Sequence, residues 1–358
     1  MKYIGCDFHP SFQQIAMLDK ETGEWIERRL LHAEEARAFY EELKGPVLVG
    51  IEASGNTHWF ESLLARCQHQ LWIGDAAEIA RQDGRKQKHD RRSAKLILKL
   101  MLENRFPRIW VPTVAERDLR QLLIHRQHLV RMRTRVKNQL QHIALNQGWQ
   151  KKHKLWSEAG LELLRSLKLD PWTQQRRDTL LEMLEELNEK VRTLDQAVEK
   201  EAQAREAVRR LMTHPGVGPV IALATVLTMG DVGRFPNSRS WVSYVGLNPS
   251  EESSGQRRRL GSISKEGNPF LRYLLVEGAI SAARGDKSLA RMYVRLKAKK
   301  HHGVAKVAVA RKLAVRLYWM ARTEKSYPEV VRTQGSLSHP VAEVMVEALN
   351  RPPASHQK

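Results

Sequence analysis

The sequence predicts an α/β layer domain with a mixed sheet at the front of the chain, followed by a largely helical remainder. Three observations carry this reading. Short apolar, alternating segments separated by turn residues run as far as residue 74. Helical periodicity takes over from residue 90. A stretch over 178–200 then spaces Leu and Val in a 4-3-4-3-4 pattern. A length of 358 residues leaves room for two or three domains.

Element by element, Tyr3–Phe8 and Gln13–Leu18 read as strands, Asp19-Lys-Glu-Thr-Gly23 as a turn and Trp25–Leu31 as a third strand. His32–Leu43 reads as a helix. Pro46–Glu52 is a continuous apolar run suited to a buried strand. Asn56 or Thr57 can cap a helix reaching about Cys67, and Leu71–Gly74 is a short last strand. Three strands, a helix, a strand, a helix and a strand make a mixed-sheet layer fold.

Asp90–Asn104 is helical in period, whereas Pro107 and Pro112 hold Phe106–Pro112 extended. Ala115–Asn146 reads as a long basic helix with Leu119, Leu122, Leu129, Val136, Leu140 and Ile143 as its apolar positions. Arg126 and Arg133 interrupt that stripe, so one side packs and another faces phosphate. Leu180, Leu184, Leu187, Val191, Leu194 and Val198 form a heptad seam. It can close an antiparallel hairpin with the preceding long helix or join protomers as a coiled coil; the reading favoured is a seam that also crosses between chains. The domains expected are 1–112, a helical coiled-coil spacer over 113–205, a mostly helical domain over 206–325 and a tail over 326–358. Its prolines make the tail read as partly disordered, with Val341–Leu349 able to form one short helix.

Charge separates the same regions. The net +20 is distributed as −6 over residues 1–80, +15 over 81–154, −2 over 155–210 and +13 over 211–358. Two separated basic blocks point to two nucleic-acid contact surfaces. No uncharged apolar run reaches about 18 residues, so no membrane span is expected. The first residues lack an apolar signal core, and Cys6 and Cys67 as the two cysteines exclude a disulfide scaffold or a Cys-rich zinc site. A cytoplasmic protein is expected.

Three motifs carry chemistry. Asp7 ends the first strand, Glu52 ends the central strand and Asp90 starts a later helix. Carboxylates at such strand ends are costly without a compensating cation, and Mg²⁺-assisted phosphodiester chemistry supplies one. Asp90 alone is equally readable as a helix cap; in this order and on these elements the three acids form a ribonuclease H-like pattern. His9, beside Asp7, can orient a phosphate but also reads as a surface residue. The second motif, Thr213-His-Pro-Gly-Val-Gly-Pro219, precedes an apolar helix over Val220–Leu227 and looks like half of a helix-hairpin-helix, or like a turn between packed helices. The third is a loop with Ser253, Ser254 and Gly255 before Arg257, Arg258 and Arg259, then Lys265 and Arg272. A serine attacks phosphate only where cations stabilise the developing charge; on composition alone a basic loop touching the DNA backbone is favoured. His301-His302 has no partners at zinc spacing, and Trp110 and Trp241 read as core.

YIGCDFHP, VGIEASG, KQKHDRRSA with FPRIWVP, HPGVGPVIALATVL and GLNPSEESSGQRRRLGSISKEGNPFLRYLL occur in this order from about residue 3 to residue 322. In this the chain resembles the IS110 family of insertion-sequence transposases, with spacing most like the IS1111 branch. The resemblance implies a RuvC-like domain of RNase H fold whose four acids bind Mg²⁺. Asp7, Glu52 and Asp90 match three of them; the fourth position holds Ser93, and His89 stands where Thr is often found. It implies a C-terminal domain with a serine nucleophile, matched by Ser254 with Ser253 as runner-up. It implies a noncoding RNA that pairs with donor and target DNA, and a homo-oligomer (dimer or tetramer) in which one chain's RuvC-like domain meets another's serine domain. Arg85, Lys86, Lys88, Arg91 and Arg92 would track nucleic-acid backbone, and Arg257, Arg258, Lys265 and Arg272 would hold the strand. The expected function is a DNA recombinase of a mobile element. Two alternatives are a RuvC-like junction nuclease that uses water instead of serine, and a nucleic-acid-binding copy impaired at Ser93.

Overall fold

The computed structural model of the chain describes residues 1–31, 34–82, 90–150, 152–251 and 259–335. The chain divides into two compact units, Met1–Val111 and Pro112–Lys358.

The first unit contains β1 (Lys2–Phe8), β2 (Phe12–Asp19), β3 (Trp25–Leu31), α1 (Glu34–Glu42), β4 (Val47–Glu52), α2 (His58–Arg66), β5 (Gln70–Gly74), α3 (Ala76–Gln82) and α4 (Asp90–Leu102). The five strands form one mixed sheet in the order β3-β2-β1-β4-β5. β1, β2 and β3 are antiparallel neighbours, whereas β1, β4 and β5 run parallel. Strand alternation sends Ile4, Cys6, Val47, Val49 and Ile51 to one face, where Tyr40 of α1 and Phe60, Leu63 and Leu64 of α2 close the core. The other face receives α4 through Leu48, Ile97, Leu100 and Met101, beside Ala16, Ala94 and Leu98.

Two glycines set how closely α4 lies on the sheet. A Cβ on Gly5 would stand 2.2 Å from the Ala94 carbonyl oxygen, and one on Gly50 would stand 2.3 Å from Met101 Sδ. Strand and helix backbones therefore touch directly at Gly5. The short α3 was absent from the sequence reading. It forms because Asp75 Oδ1 accepts from Glu78 N at 2.9 Å, a local cap that periodicity over seven residues does not reveal. The proline-flanked segment after α4 makes a tight turn at Pro107, where Arg108 N donates to Phe106 O at 2.9 Å, and bridges the edge of β5 at Gly74–Arg108, with Ile109 N donating to Ile73 O at 2.9 Å.

The second unit contains α5 (Val114–Asn146), α6 (Glu158–Ser166), α7 (Pro171–Gln203), α8 (Glu206–Met212), α9 (Pro219–Met229), α10 (Ser238–Tyr244), β6 (Pro249–Glu251), β7 (Leu260–Ile263), α11 (Pro269–Gly285), α12 (Lys287–Lys297), α13 (His302–Thr323) and α14 (Tyr327–Gly335). A capping box between Thr113 and Glu116 starts α5. α5 and α7 lie antiparallel, with Arg126 paired to Asp195 and Arg133 reaching Asn188. The heptad seam of α7 is filled from within this chain. Leu180, Leu184, Leu187 and Val191 pack with Leu129, Val136, Leu140 and Ile143, and each is at most 9% exposed. The intrachain hairpin is thus present, with Leu194 of the seam only partly buried against it.

In the C-terminal part, Ile221–Leu227 of α9 pack with Leu271–Ala283 of α11 and Val309–Leu317 of α13 in one core. Trp241 is fully buried there, whereas Trp110 in the first unit is only half-buried. The Pro-Gly-Val-Gly turn packs backbone to backbone. Gly216 has φ +76°, and a Cβ there would lie 2.3 Å from Ala282 N. Gly218 on the same turn has open space beside it. The region read as a tail begins with a helix, α14. Ser326 caps it through Glu329, and Tyr327 is anchored by two bonds, its OH to Asp286 Oδ2 and its N–H to Thr213 Oγ1, both at 2.8 Å. Val341–Leu349 lies outside the described residues.

Asp286 is the centre of a buried polar knot. It caps α12 through Ser288 N and Leu289 N, pairs with Arg316 and accepts from Tyr327. His214 lies over the Tyr327 ring with Nε2 3.9 Å from Asp286 Oδ2. Its Nδ1 meets the Pro215 carbonyl at 2.8 Å, which fixes the neutral tautomer with the proton on Nδ1. Burial holds the His214 imidazole neutral and pushes its pKa down to about 4.

Gly5→Ala is expected to cost about 3 kcal/mol, because the added carbon meets backbone and not a flexible side chain. Hydrogen exchange should show lost protection in β1 and α4, while Gly55→Ala, which meets nothing within 4 Å, should leave both protected. The folded-state pKa of His214 lies below its unfolded value of 6.5, so its contribution is complete above pH 6.5 and is lost as pH falls towards 4. Denaturant titrations should show up to about 3 kcal/mol less stability at pH 4 than at pH 7 from this group; His214→Leu should flatten that part of the profile.

Candidate functional site

The close seat of α4 brings three polar side chains together. Asp7 has the same parity on β1 as Gly5, so it faces the α4 side of the sheet. Asp90 opens α4 four residues before Ala94, the residue that lies over Gly5, and so belongs to the sheet-facing stripe. His9 follows Asp7 by two residues and keeps the same parity, and its N–H still pairs with Phe12 O at 3.0 Å.

The geometry is compact. His9 Nε2 stands 3.6 Å from Asp7 Oδ1 and 3.6 Å from Asp90 Oδ1. Donor atoms of Asp7, His9 and Asp90 all lie within 4.8 Å of one another. Asp7 is 18% exposed and Asp90 49%, so the group opens to solvent on the α4 side. The His9 ring stacks on Phe12 at 4.6 Å, and the Arg29 guanidinium lies 3.8 Å above that same Phe12 ring. Lys95 bonds Glu27 at 2.7 Å, ties α4 to β3 and holds that carboxyl below the usual carboxylate range.

Of the acids the sequence singles out, Asp7 and Asp90 therefore meet. Glu52 ends β4 one residue after Ile51, whose parallel partner is Cys6, so it sits on the strand next to Asp7 and on the same face. It is half-buried and stands outside the three-residue group. Ser93 is half-buried on the next turn of α4. Arg91 is exposed and Arg92 half-buried on the first turn of that helix. Arg85, Lys86 and Lys88 lie outside the described residues. The residue that sequence reasoning undervalued is His9. Its signal was the two-residue spacing from Asp7 on an extended strand, which puts both on one face.

The serine motif has a defined base. β6 and β7 pair antiparallel, and Ser264 N donates to Asn248 O at 2.7 Å. Arg272 Nη1 donates to Val245 O at 2.9 Å and to Glu266 O at 2.8 Å. Gly246 and Gly267, with φ +71° and +70°, let the two sides meet; a Cβ on Gly267 would stand 1.9 Å from Tyr244 O. Arg272, expected to hold a DNA strand, thus has one guanidinium nitrogen engaged in holding the loop's base. Lys265 stands at the turn with φ +59°. Ser253, Ser254, Arg257 and Arg258, between β6 and β7, lie outside the described residues.

The donor set suits a divalent cation. Two carboxylate oxygens and one imidazole nitrogen converge, and His9 Nε2 is shielded from solvent with no hydrogen-bond partner among the described residues. A mixed-sheet domain with acids at adjacent strand ends and at the start of a packed helix is compatible with a DEDD-type domain. Comparison with known proteins agrees. Residues 4–148 match the family model of the DEDD transposase of IS110 elements, and residues 208–295 match that of the transposase IS116/IS110/IS902 family. A probable family 20 transposase of Pseudomonas aeruginosa is 26% identical over 286 residues, covering 78% of this chain and 84% of that protein. The transposase for insertion sequence element IS1111A of Coxiella burnetii is 26% identical over 292 residues, covering 80% and 79%. A putative transposase of Sinorhizobium fredii is 27% identical over 334 residues, covering 89% and 84%.

The chain belongs to the IS110 family of insertion-sequence transposases. Membership makes it a DNA-binding, DNA-recombining enzyme with a metal-dependent domain type. No helix among the described residues is long and apolar enough to cross a membrane.

Proposed function

We propose that this transposase cuts and rejoins DNA with Asp7, Glu52 and Asp90 as Mg²⁺ ligands and Ser254 as the nucleophile. The observation that supports it most is the convergence of Asp7 and Asp90, from a strand and a helix 83 positions apart in sequence, on one shielded imidazole nitrogen. A bound Mg²⁺ supplies charge neutralisation at the scissile phosphate. The Ser254 Oγ–P bond forms as the P–O bond to the departing strand breaks; the serine proton is lost and the departing oxygen gains one. Rejoining runs the same exchange in reverse. Arg257, Arg258 and Lys265 stabilise charge on the phosphoryl oxygens, and Arg272 holds the base of their loop.

Arg85, Lys86, Lys88, Arg91 and Arg92 run along the backbone of a noncoding RNA or of DNA. The RNA pairs with donor and target DNA and supplies sequence recognition, in a homo-oligomer (a dimer or tetramer) in the cytoplasm. Two basic blocks of +15 and +13, with no zinc finger or other compact base-reading motif in the sequence, support a backbone-tracking protein guided by base pairing.

Asp7→Asn and Asp90→Asn should each lower strand cleavage at least about 100-fold, the equivalent of about 2.7 kcal/mol at the transition state. Ser254→Ala should abolish the covalent protein–DNA adduct in a denaturing gel, and Ser253→Ala should retain it. An unchanged adduct in Ser254→Ala removes Ser254 from its role; Mg²⁺-dependent nicks without any adduct identify the water-using nuclease instead. Ser93→Asp should change cleavage by less than about tenfold (about 1.4 kcal/mol) if three acids suffice, and a larger gain would mark an impaired copy. RNA copurifying with the protein should match DNA flanking the gene when sequenced.

A further inference from the structure

We propose that His9 is itself a metal ligand, so that this transposase carries a mixed nitrogen–oxygen cation site that favours Mn²⁺ over Mg²⁺. The inference rests on the reading of Asp7 and Asp90 as metal ligands and adds a residue that the four-acid pattern does not contain.

The first ground is the state of the imidazole nitrogen. His9 Nε2 is cut off from solvent, although the side chain as a whole is 39% exposed, and it has no hydrogen-bond partner among the described residues. It faces two carboxylate oxygens at the same 3.6 Å, beyond the 2.7–3.2 Å of an N–H···O bond. In the tautomer with the proton on Nδ1, the Nε2 lone pair faces two carboxylates and is repelled by both, and a shared cation removes that repulsion. Donors on one six-coordinate ion with bonds of about 2.1 Å stand from about 3.0 Å to about 4.2 Å apart, and 3.6 Å falls inside that range.

The second ground is that the ring is held in place. Phe12 stacks against it, the Arg29 guanidinium lies over the same Phe12 ring, and the His9 backbone N–H pairs with Phe12 O. Such packing fixes ring orientation in advance, as ligand histidines require. The third ground is the neutral Ser93, where the four-acid pattern would place another carboxylate. A neutral imidazole restores a donor without restoring the negative charge. Oxygen-only sets suit Mg²⁺, whereas an imidazole nitrogen shifts preference towards transition metals such as Mn²⁺.

The test uses the full-length protein with Mn²⁺ or Mg²⁺ alone, no DNA, and reads binding and pulsed electron paramagnetic resonance. The wild type should bind Mn²⁺ with nitrogen-14 modulation from an imidazole. His9→Gln should lose that modulation and bind Mn²⁺ at least about tenfold more weakly, the lower end of what losing even an outer-shell partner costs, with a smaller change for Mg²⁺. His9→Asp should restore an all-oxygen set and reverse the preference towards Mg²⁺. Wild-type Mn²⁺ bound without nitrogen modulation, or modulation that persists in His9→Gln, overturns the role of His9 while leaving the carboxylate reading intact; a protonated His9 merely paired with the acids would give the first of these. Mn²⁺ binding unchanged by Asp7→Asn and by Asp90→Asn would overturn the metal reading itself.

Discussion

The contact on which the first unit depends is the direct approach of α4 to β1 and β4. A helix normally rests on a sheet through side chains, with its backbone held off by them. Here Gly5 lets the Ala94 carbonyl of the helix come within 2.2 Å of where a Cβ would stand, and Gly50 makes room for Met101. The same register places the first residue of α4 beside the end of β1. Asp90 therefore reaches Asp7 through where the helix is seated, with no long side chain bridging the gap. An exposed carboxylate is brought near a half-buried one, and the cost of that is offset where a cation lies between them.

The second unit depends on an analogous backbone contact. Gly216 packs onto the Ser281–Ala282 backbone of α11, and Gly285 receives the Pro215 ring. The resulting closeness places His214 against Tyr327 and Asp286, where Arg316 arrives from α13. A charged pair this buried stabilises little by itself, since desolvation takes back most of the attraction. Its effect is positional: Asp286 at once caps α12, holds α13 and receives α14. The glycine motif thus works on one side as a packing device, and the open space beside Gly218 leaves the other side accessible.

Much of this was legible in the sequence. All five strands of the sheet lie within two residues of where alternation put them, because their core faces are continuous and a one-residue slip would invert them. The two longest helices, α5 and α7, were legible because apolar period persists over many turns, whereas α13, a helix of 22 residues, was read only as part of a mostly helical domain. What escaped were the short elements whose cause is local: α3 depends on one Asp75 cap, and α14 on Ser326, Glu329 and the Tyr327 anchor. The heptad positions of α7 were legible by spacing, but sequence gives no partner identity; within this chain α5 faces them, with contacts from 126 to 195 and from 133 to 188. Asp7 and Asp90 stood out in the sequence because an acid at a strand end and another at the start of a packed helix together suggest a cation. His9 did not, because histidine suits surfaces, cores and ligand sets alike, and only its position 3.6 Å from both carboxylates singles it out.

The start of α4 also resolves a conflict in charge. Residues 1–80 carry a net −6, and a carboxylate group that must act on a phosphate repels it. The basic block begins at the point in the chain where Asp90 enters the site, and Arg91 and Arg92 follow on the same helical turn. Successive helix positions diverge by about 100°, so Asp90 and its two neighbours lie on different faces of α4. On the function proposed above, one helix terminus would supply both an anion for a metal and cations for a polyanion. The order acid, basic, basic in Asp90-Arg91-Arg92 would then matter, because exchanging their places would move the carboxylate off the sheet-facing stripe.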